Sequence, residues 1–102
     1  MRLITKEIDR LLEKQRQKDS KELMVVAHLF HAYSNFDWYL IGYSMDNPDK
    51  DYIFTLINGD FLEYGDVYLP ELKAIKHMGL GVERDLYFTS ILAKDLYKQL
   101  KE

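Results

Sequence analysis

A chain of 102 residues, 47% hydrophobic and 30% charged, has the size and composition of one globular domain, and its 14% aromatic content supplies large side chains for a core. The absence of cysteine excludes disulfides, thiolate nucleophiles and cysteine-ligated metal centres, and fits a reducing compartment. The start, Met1 to Glu7, lacks the apolar region of a signal peptide, and no segment approaches the roughly 18 apolar residues of a membrane span, so a soluble cytoplasmic protein is expected.

Helix one is expected from about Lys6 to Lys18. Thr5 can cap it, Glu7 and Asp9 favour its N-terminal dipole, and Ile8, Leu11, Leu12 and Gln15 follow helical spacing. The polar stretch through Asp19-Ser20 reads as a short connection. Leu23 to Ala32 is a β-prone run, Tyr33-Ser34-Asn35 a turn, and Phe36 to Ser44 a second strand. Alternation places Phe36, Trp38 and Leu40 on one face of that strand and Asp37, Tyr39, Ile41 and Tyr43 on the other. The turn cluster Asp46 to Lys50 precedes a third strand, Tyr52 to Asn58, and Asn58-Gly59 is a strong hairpin signal leading to a fourth, Phe61 to Tyr68. Such short turns imply an antiparallel meander. Pro70 and Glu71 open a second helix with Leu72, Ile75 and Met78 three apart, and Gly79 suits its C-terminal end. Leu80 to Phe88 then reads as a glycine turn and a fifth short strand. Thr89 or Ser90 is expected to cap a last helix carrying Leu92, Leu96 and Leu100. The sum is a single α+β domain over residues 1–102, ordered α-β-β-β-β-α-β-α, with helices covering one face of a four- to five-stranded sheet.

Several local patterns resemble the domain of unknown function family 2958. They are Leu3-Ile4-Thr5-Lys6-Glu7-Ile8, Trp38-Tyr39, Tyr52-Ile53-Phe54, Gly65 to Leu72 (Gly-Asp-Val-Tyr-Leu-Pro-Glu-Leu) and Gly79 to Phe88 (Gly-Leu-Gly-Val-Glu-Arg-Asp-Leu-Tyr-Phe). The resemblance covers nearly the whole chain. The segment Asp66-Val67-Tyr68-Leu69 departs from the family's pattern. The resemblance implies a bacterial origin and frequent carriage on plasmids or other mobile elements. It carries no established activity, so no functional residue is transferred from it.

Glu83-Arg84-Asp85 is the first candidate site, because carboxylates beside a guanidinium can shift each other's protonation. In a strand, however, Arg84 points away from the two acids, and its expected role is to make a bidentate salt bridge or to bind backbone carbonyls, closing the turn onto the sheet. His28 and His31 have a spacing that would share a metal on a helix but faces opposite ways on a strand, so no metal site and no cofactor is expected. His77 is placed in the last turn of the second helix, complementing its dipole. No nucleophile elbow or phosphate loop is present, and no catalytic residue is assigned.

The second candidate is the aromatic meander. Residues 23–72 carry eight acids against Lys50 alone, whereas residues 1–22 and 73–102 are mildly basic. Trp38, Tyr39, Tyr43, Tyr52, Phe54, Tyr64 and Tyr68 are too dense for both sheet faces to be buried. One face is therefore expected to leave aromatic rings, Tyr39 and Tyr43 among them, to meet a protein partner or a second copy, and Asp66 is counted with the candidate binding residues. Nucleic acid is disfavoured there, since phosphate neutralisation dominates that affinity. The leading expectation is therefore a non-enzymatic protein-interaction module of a bacterial mobile element, with no membrane association. The alternatives are a nucleic-acid-associated protein using Arg2, Lys6, Arg10, Lys14 and Arg16 of the first helix, and a small enzyme with a carboxylate site at Asp66, Glu83 or Asp85.

Overall fold

The central β-strands carry apolar residues on both faces, and that pattern sets the architecture. The computed structural model describes residues 2–16, 18 and 20–102. Its elements are α1 (Lys6–Gln15), a 3₁₀ turn (Ser20–Glu22), β1 (Met24–Val25), β2 (Ala27–Phe30), β3 (Asp37–Tyr43), β4 (Tyr52–Asn58), β5 (Leu62–Tyr68), α2 (Leu69–Ala74), β6 (Lys76–His77), β7 (Leu80–Gly81), β8 (Glu83–Arg84), β9 (Ile91–Leu92) and α3 (Ala93–Lys101). Five strands form one antiparallel sheet in the order β5-β4-β3-β2-β8, which is the expected meander with a fifth strand added beside β2.

Thr5 caps α1 as expected, its hydroxyl accepting from the Ile8 N–H at 3.1 Å. The helix ends at Gln15, before the expected Lys18; Gln17, and Asp19 of the expected Asp19-Ser20 connection, lie outside the described residues. Ile8 and Leu12 bury against one face of the sheet, together with Leu69 and Leu72 of α2. On the other face Ala93 and Leu96 of α3 pack with Val25, Ile41 and Leu56. Both faces are therefore covered, which corrects the expectation of one bare aromatic face. Two helices on one side and α3 with its leading segment on the other suffice because the sheet is only five strands wide.

A bulge in β3 explains a second correction. Leu40 pairs with Thr55 and Gly42 with Phe54, leaving Ile41 as the extra residue. Alternation breaks there. Tyr39 and Ile41 face α3, while Tyr43 joins Trp38 and Leu40 on the α1 side instead of sharing the face of Tyr39. The expected first strand is also broken, at Val26, whose N–H donates to Leu40 O at 2.8 Å. Ahead of the break, Met24–Val25 leaves the large sheet to pair with Ile91–Leu92.

The chain after β5 departs most from expectation. Pro70 stands in the first turn of α2, but the helix stops at Ala74, and Ile75 is already extended. Lys76–His77 and Leu80–Gly81 then pair around a two-residue turn in which Met78 and Gly79 have φ of 54° and 81°, so Gly79 ends a hairpin turn and not a helix. Leu86 and Tyr87 lie outside any strand and are exposed. Neither Thr89 nor Ser90 caps α3; its first amide, from Ala93, donates to Leu23 O at 2.8 Å. No helix among the described residues is long and apolar enough to cross a membrane.

Candidate functional site

The seven residues singled out from the sequence are divided among the core, the two sheet edges and one cavity. Trp38, Tyr39 and Tyr43 are 7%, 9% and 3% exposed, so none presents a ring to a partner. Trp38 stacks on Phe36, with ring centres 5.7 Å apart. Tyr43 donates its hydroxyl to Asp9 Oδ1 at 2.5 Å, tying β3 to α1. Burial and then the neighbouring Asp9 carboxylate push that hydroxyl's pKa well above the tyrosine range, while the same hydroxyl and Lys50 hold Asp9 below the usual carboxylate range.

Glu83, Arg84 and Asp85 do not act together. Arg84 donates from Nη1 to the backbone oxygens of Arg2 and Leu3, so it binds carbonyls, one of the two roles expected for it, but clamps the N-terminal segment and not the glycine turn. Glu83 borders a surface recess with Arg2, Lys73 and Lys76. Asp85 turns the other way and meets His28. Asp66 lies on β5, at the edge opposite β8, so the expected carboxylate set is split across the width of the sheet.

The cluster around His28 was not anticipated. His28 sits on β2 between two carboxylates, with Nε2 2.7 Å from Asp37 Oδ1 and Nδ1 3.1 Å from Asp85 Oδ2, and its ring stacks on Tyr39 at 4.5 Å. The Tyr87 N–H, followed by His28, holds the Asp85 carboxyl below its ordinary range. In the neutral imidazole only one nitrogen donates, so both contacts are simultaneous hydrogen bonds to ionised carboxylates only when the ring is doubly protonated. Each ring nitrogen faces a carboxylate, so both are engaged within the protein. The arrangement ties β2, β3 and the turn after β8 together. One signal for it was present: Asp37 opens an otherwise apolar strand and falls beside His28 once the Tyr33-Ser34-Asn35 turn fixes the hairpin register.

His31 is buried elsewhere, its Nε2 3.1 Å from Leu80 O, with the His77 ring 6.5 Å away. His77 thus lies in β6 against Tyr33 and not in the last turn of a helix, the position expected for it. Among the described residues no group of three or more His, Cys, Asp or Glu could hold a metal ion.

A cavity of about 360 Å³ opens where α1 ends against β3. Gly42 lines it and lets the end of α1 lie directly on β3, since a Cβ there would come within 2.9 Å of Gln15 Cβ and 3.2 Å of its backbone carbon. Leu23, Ile41 and Phe54 form apolar walls, and Gln15, Arg16, Ser44, Asp46 and Asp66 supply polar groups. Ser44 Oγ donates to Asp66 Oδ2 at 2.8 Å and accepts from the Asp46 N–H at 3.3 Å. Arg16 lies over the Tyr43 ring. It donates to Ser44 O at 2.7 Å, to Asn47 O at 2.9 Å and twice to Glu13. Gln15 was legible as a polar residue on the apolar stripe of α1, although its partner was not.

These features define an α+β domain with a doubly covered sheet, one free sheet edge and a small mixed cavity. Residues 3–100 match the family profile described as "Protein of unknown function (DUF2958)", and the chain belongs to that family, as the resemblance implied. No curated protein and no solved structure matches the chain.

Proposed function

We propose that the protein is a non-catalytic accessory module that binds an extended, basic segment of a partner protein along the free edge of β5. The observation carrying this reading is the state of that edge. β5 is seven residues long and, among the described residues, pairs only with β4. The Leu69 N–H donates to Asp51 O, and the register running back from that pair makes Val67, Gly65 and Glu63 the residues bonded to β4. Leu62, Tyr64, Asp66 and Tyr68 therefore direct their main-chain polar groups away from the sheet.

The edge lacks proline, lysine and bulges as protections against strand addition, and the charges it does carry, Glu63 and Asp66, are both acidic. Its chemistry selects the occupant. From Asp51 to Leu72 there are five acids, Asp51, Asp60, Glu63, Asp66 and Glu71, and no Lys or Arg. Phe61, Tyr64 and Tyr68 are exposed along the same hairpin. An extended segment gains main-chain hydrogen bonds from the edge, while its Lys or Arg side chains meet carboxylates and tyrosine faces. A second copy is the poorer occupant, since pairing β5 with itself crowds Glu63 and Asp66 from both chains.

The other readings lack comparable support. The basic set of the first helix is partly neutralised, because Arg10 pairs with Glu7 at 2.7 Å and Arg16 with Glu13 at 2.8 Å. An enzymatic carboxylate site is disfavoured by the separation of Asp66 from Asp85 across the sheet. An accessory role on a bacterial mobile element fits what the family resemblance implies and fits a module that acts by contact.

A labelled, short peptide of alternating Lys and Val should raise its fluorescence anisotropy on titration with the protein, whereas the Glu–Val counterpart should not. Glu63→Lys should weaken the basic peptide by about tenfold, and added salt should weaken it further. Equal binding of both peptides, or no effect of Glu63→Lys, would overturn the reading.

A further inference from the structure

We infer that the cavity at the end of β3 is a binding site for a small molecule bearing a protonated amine on an apolar body. This does not depend on strand docking at β5. The volume of about 360 Å³ is within the range of small-ligand sites, roughly 300–1,000 Å³, and the composition is that of such sites: apolar walls with a few convergent polar atoms.

The sign of the ligand's charge follows from which polar atoms remain uncommitted. Arg16 would suit an anion, but four of its five N–H donors are already taken by Glu13, Ser44 O and Asn47 O. The Tyr43 hydroxyl donates to Asp9, and the Ser44 hydroxyl donates to Asp66. Apart from one Arg16 N–H and the Lys18 ammonium, which stands exposed at the rim, the polar atoms left to the cavity are acceptors. Asp66 has one carboxylate oxygen engaged by Ser44 and the other open, with no cationic partner among the described residues. Gln15 is 94% buried by its 6% exposure, and it donates its amide nitrogen to Met24 O at 2.8 Å. That bond fixes the orientation of the amide, and its oxygen has no partner among the described residues. Asp46 adds a further carboxylate at the mouth. An amide oxygen and a carboxylate beside Phe54 and Ile41 suit an ammonium group with an apolar stem, for which both halves of the site have work.

The probe is 2-phenylethylammonium, compared with the neutral 2-phenylethanol and the anionic 3-phenylpropanoate, with binding followed by protein NMR. The amine should shift the signals of Ile41, Phe54, Met45 and Leu23, and both comparators should bind at least roughly tenfold more weakly. Asp66→Asn is an exposed, isosteric change and should remove that preference while leaving thermal unfolding unchanged. Three results would each overturn the inference: no shift at about 10 mM amine, equal or tighter binding of the anion, or amine binding unaffected by Asp66→Asn. Because the readout is the cavity wall and not the β5 amides, failure here is distinguishable from failure of strand docking.

Discussion

Tyr39 shows how a single residue couples packing to protonation. Its ring lies between His28 and Phe88 on the α3 side, and burial followed by the Asp37 and Asp85 carboxylates pushes its hydroxyl up to about 12. The fold thus favours the neutral phenol more than the unfolded chain does. That contribution to stability is complete below the ordinary tyrosine pKa of about 10 and is lost as pH rises from there through about 12. Tyr39→Phe has nothing to ionise at this position. Chemical denaturation across that window should show the variant losing less stability than the wild type, and parallel losses would mean that Tyr39 ionises without cost. At this scale the sequence was a poor guide. Trp38, Tyr39 and Tyr43 look like a surface aromatic set when only their alternation is read, and all three proved to be core. The missing information was non-local: which helix lies over which face, and the one-residue bulge that reverses the direction of Tyr43.

Elements with chemically explicit signals were legible. The Thr5 cap, the Asp46 to Lys50 turn and Pro70 at the start of α2 stand where the residue types place them, because each acts through its own local hydrogen bond or fixed φ. Asn58-Gly59 does mark a hairpin, but Asn58 pairs with Leu62 and the connection spans three residues with no positive φ at Asn58 or Gly59. The β6–β7 hairpin was missed for the opposite reason. Its turn requires left-handed conformations at both central residues, and the first is Met78, which disfavours one and read instead as the third apolar position of a helix. The strained methionine is 76% exposed, so it gains little from burial in return. Met78→Asn should accordingly stabilise the fold by up to about 1 kcal/mol, since Asn tolerates this conformation and favours such turns. A lower denaturation midpoint for the variant would contradict the turn geometry.

At the scale of the whole molecule, the sheet is closed on both faces and at one edge. β8 is short, and the N-terminal segment is strapped beside it by Arg84. The opposite edge, β5, is the long unpaired one, and it coincides with the acidic run from Asp51 to Leu72. The acidity of this region was readable from composition alone. That it lines a strand edge instead of a sheet face was not, because edge position depends on strand order. The most direct test of edge docking is amide hydrogen exchange, residue by residue, with and without the alternating Lys–Val peptide. In the free protein, the outward amides of Tyr64 and Asp66 should exchange fast while those of Glu63 and Gly65, bonded to β4, exchange slowly. Saturating peptide should protect Tyr64 and Asp66 selectively. Bound peptide that leaves those two amides fast, or protects amides elsewhere instead, would contradict docking on β5.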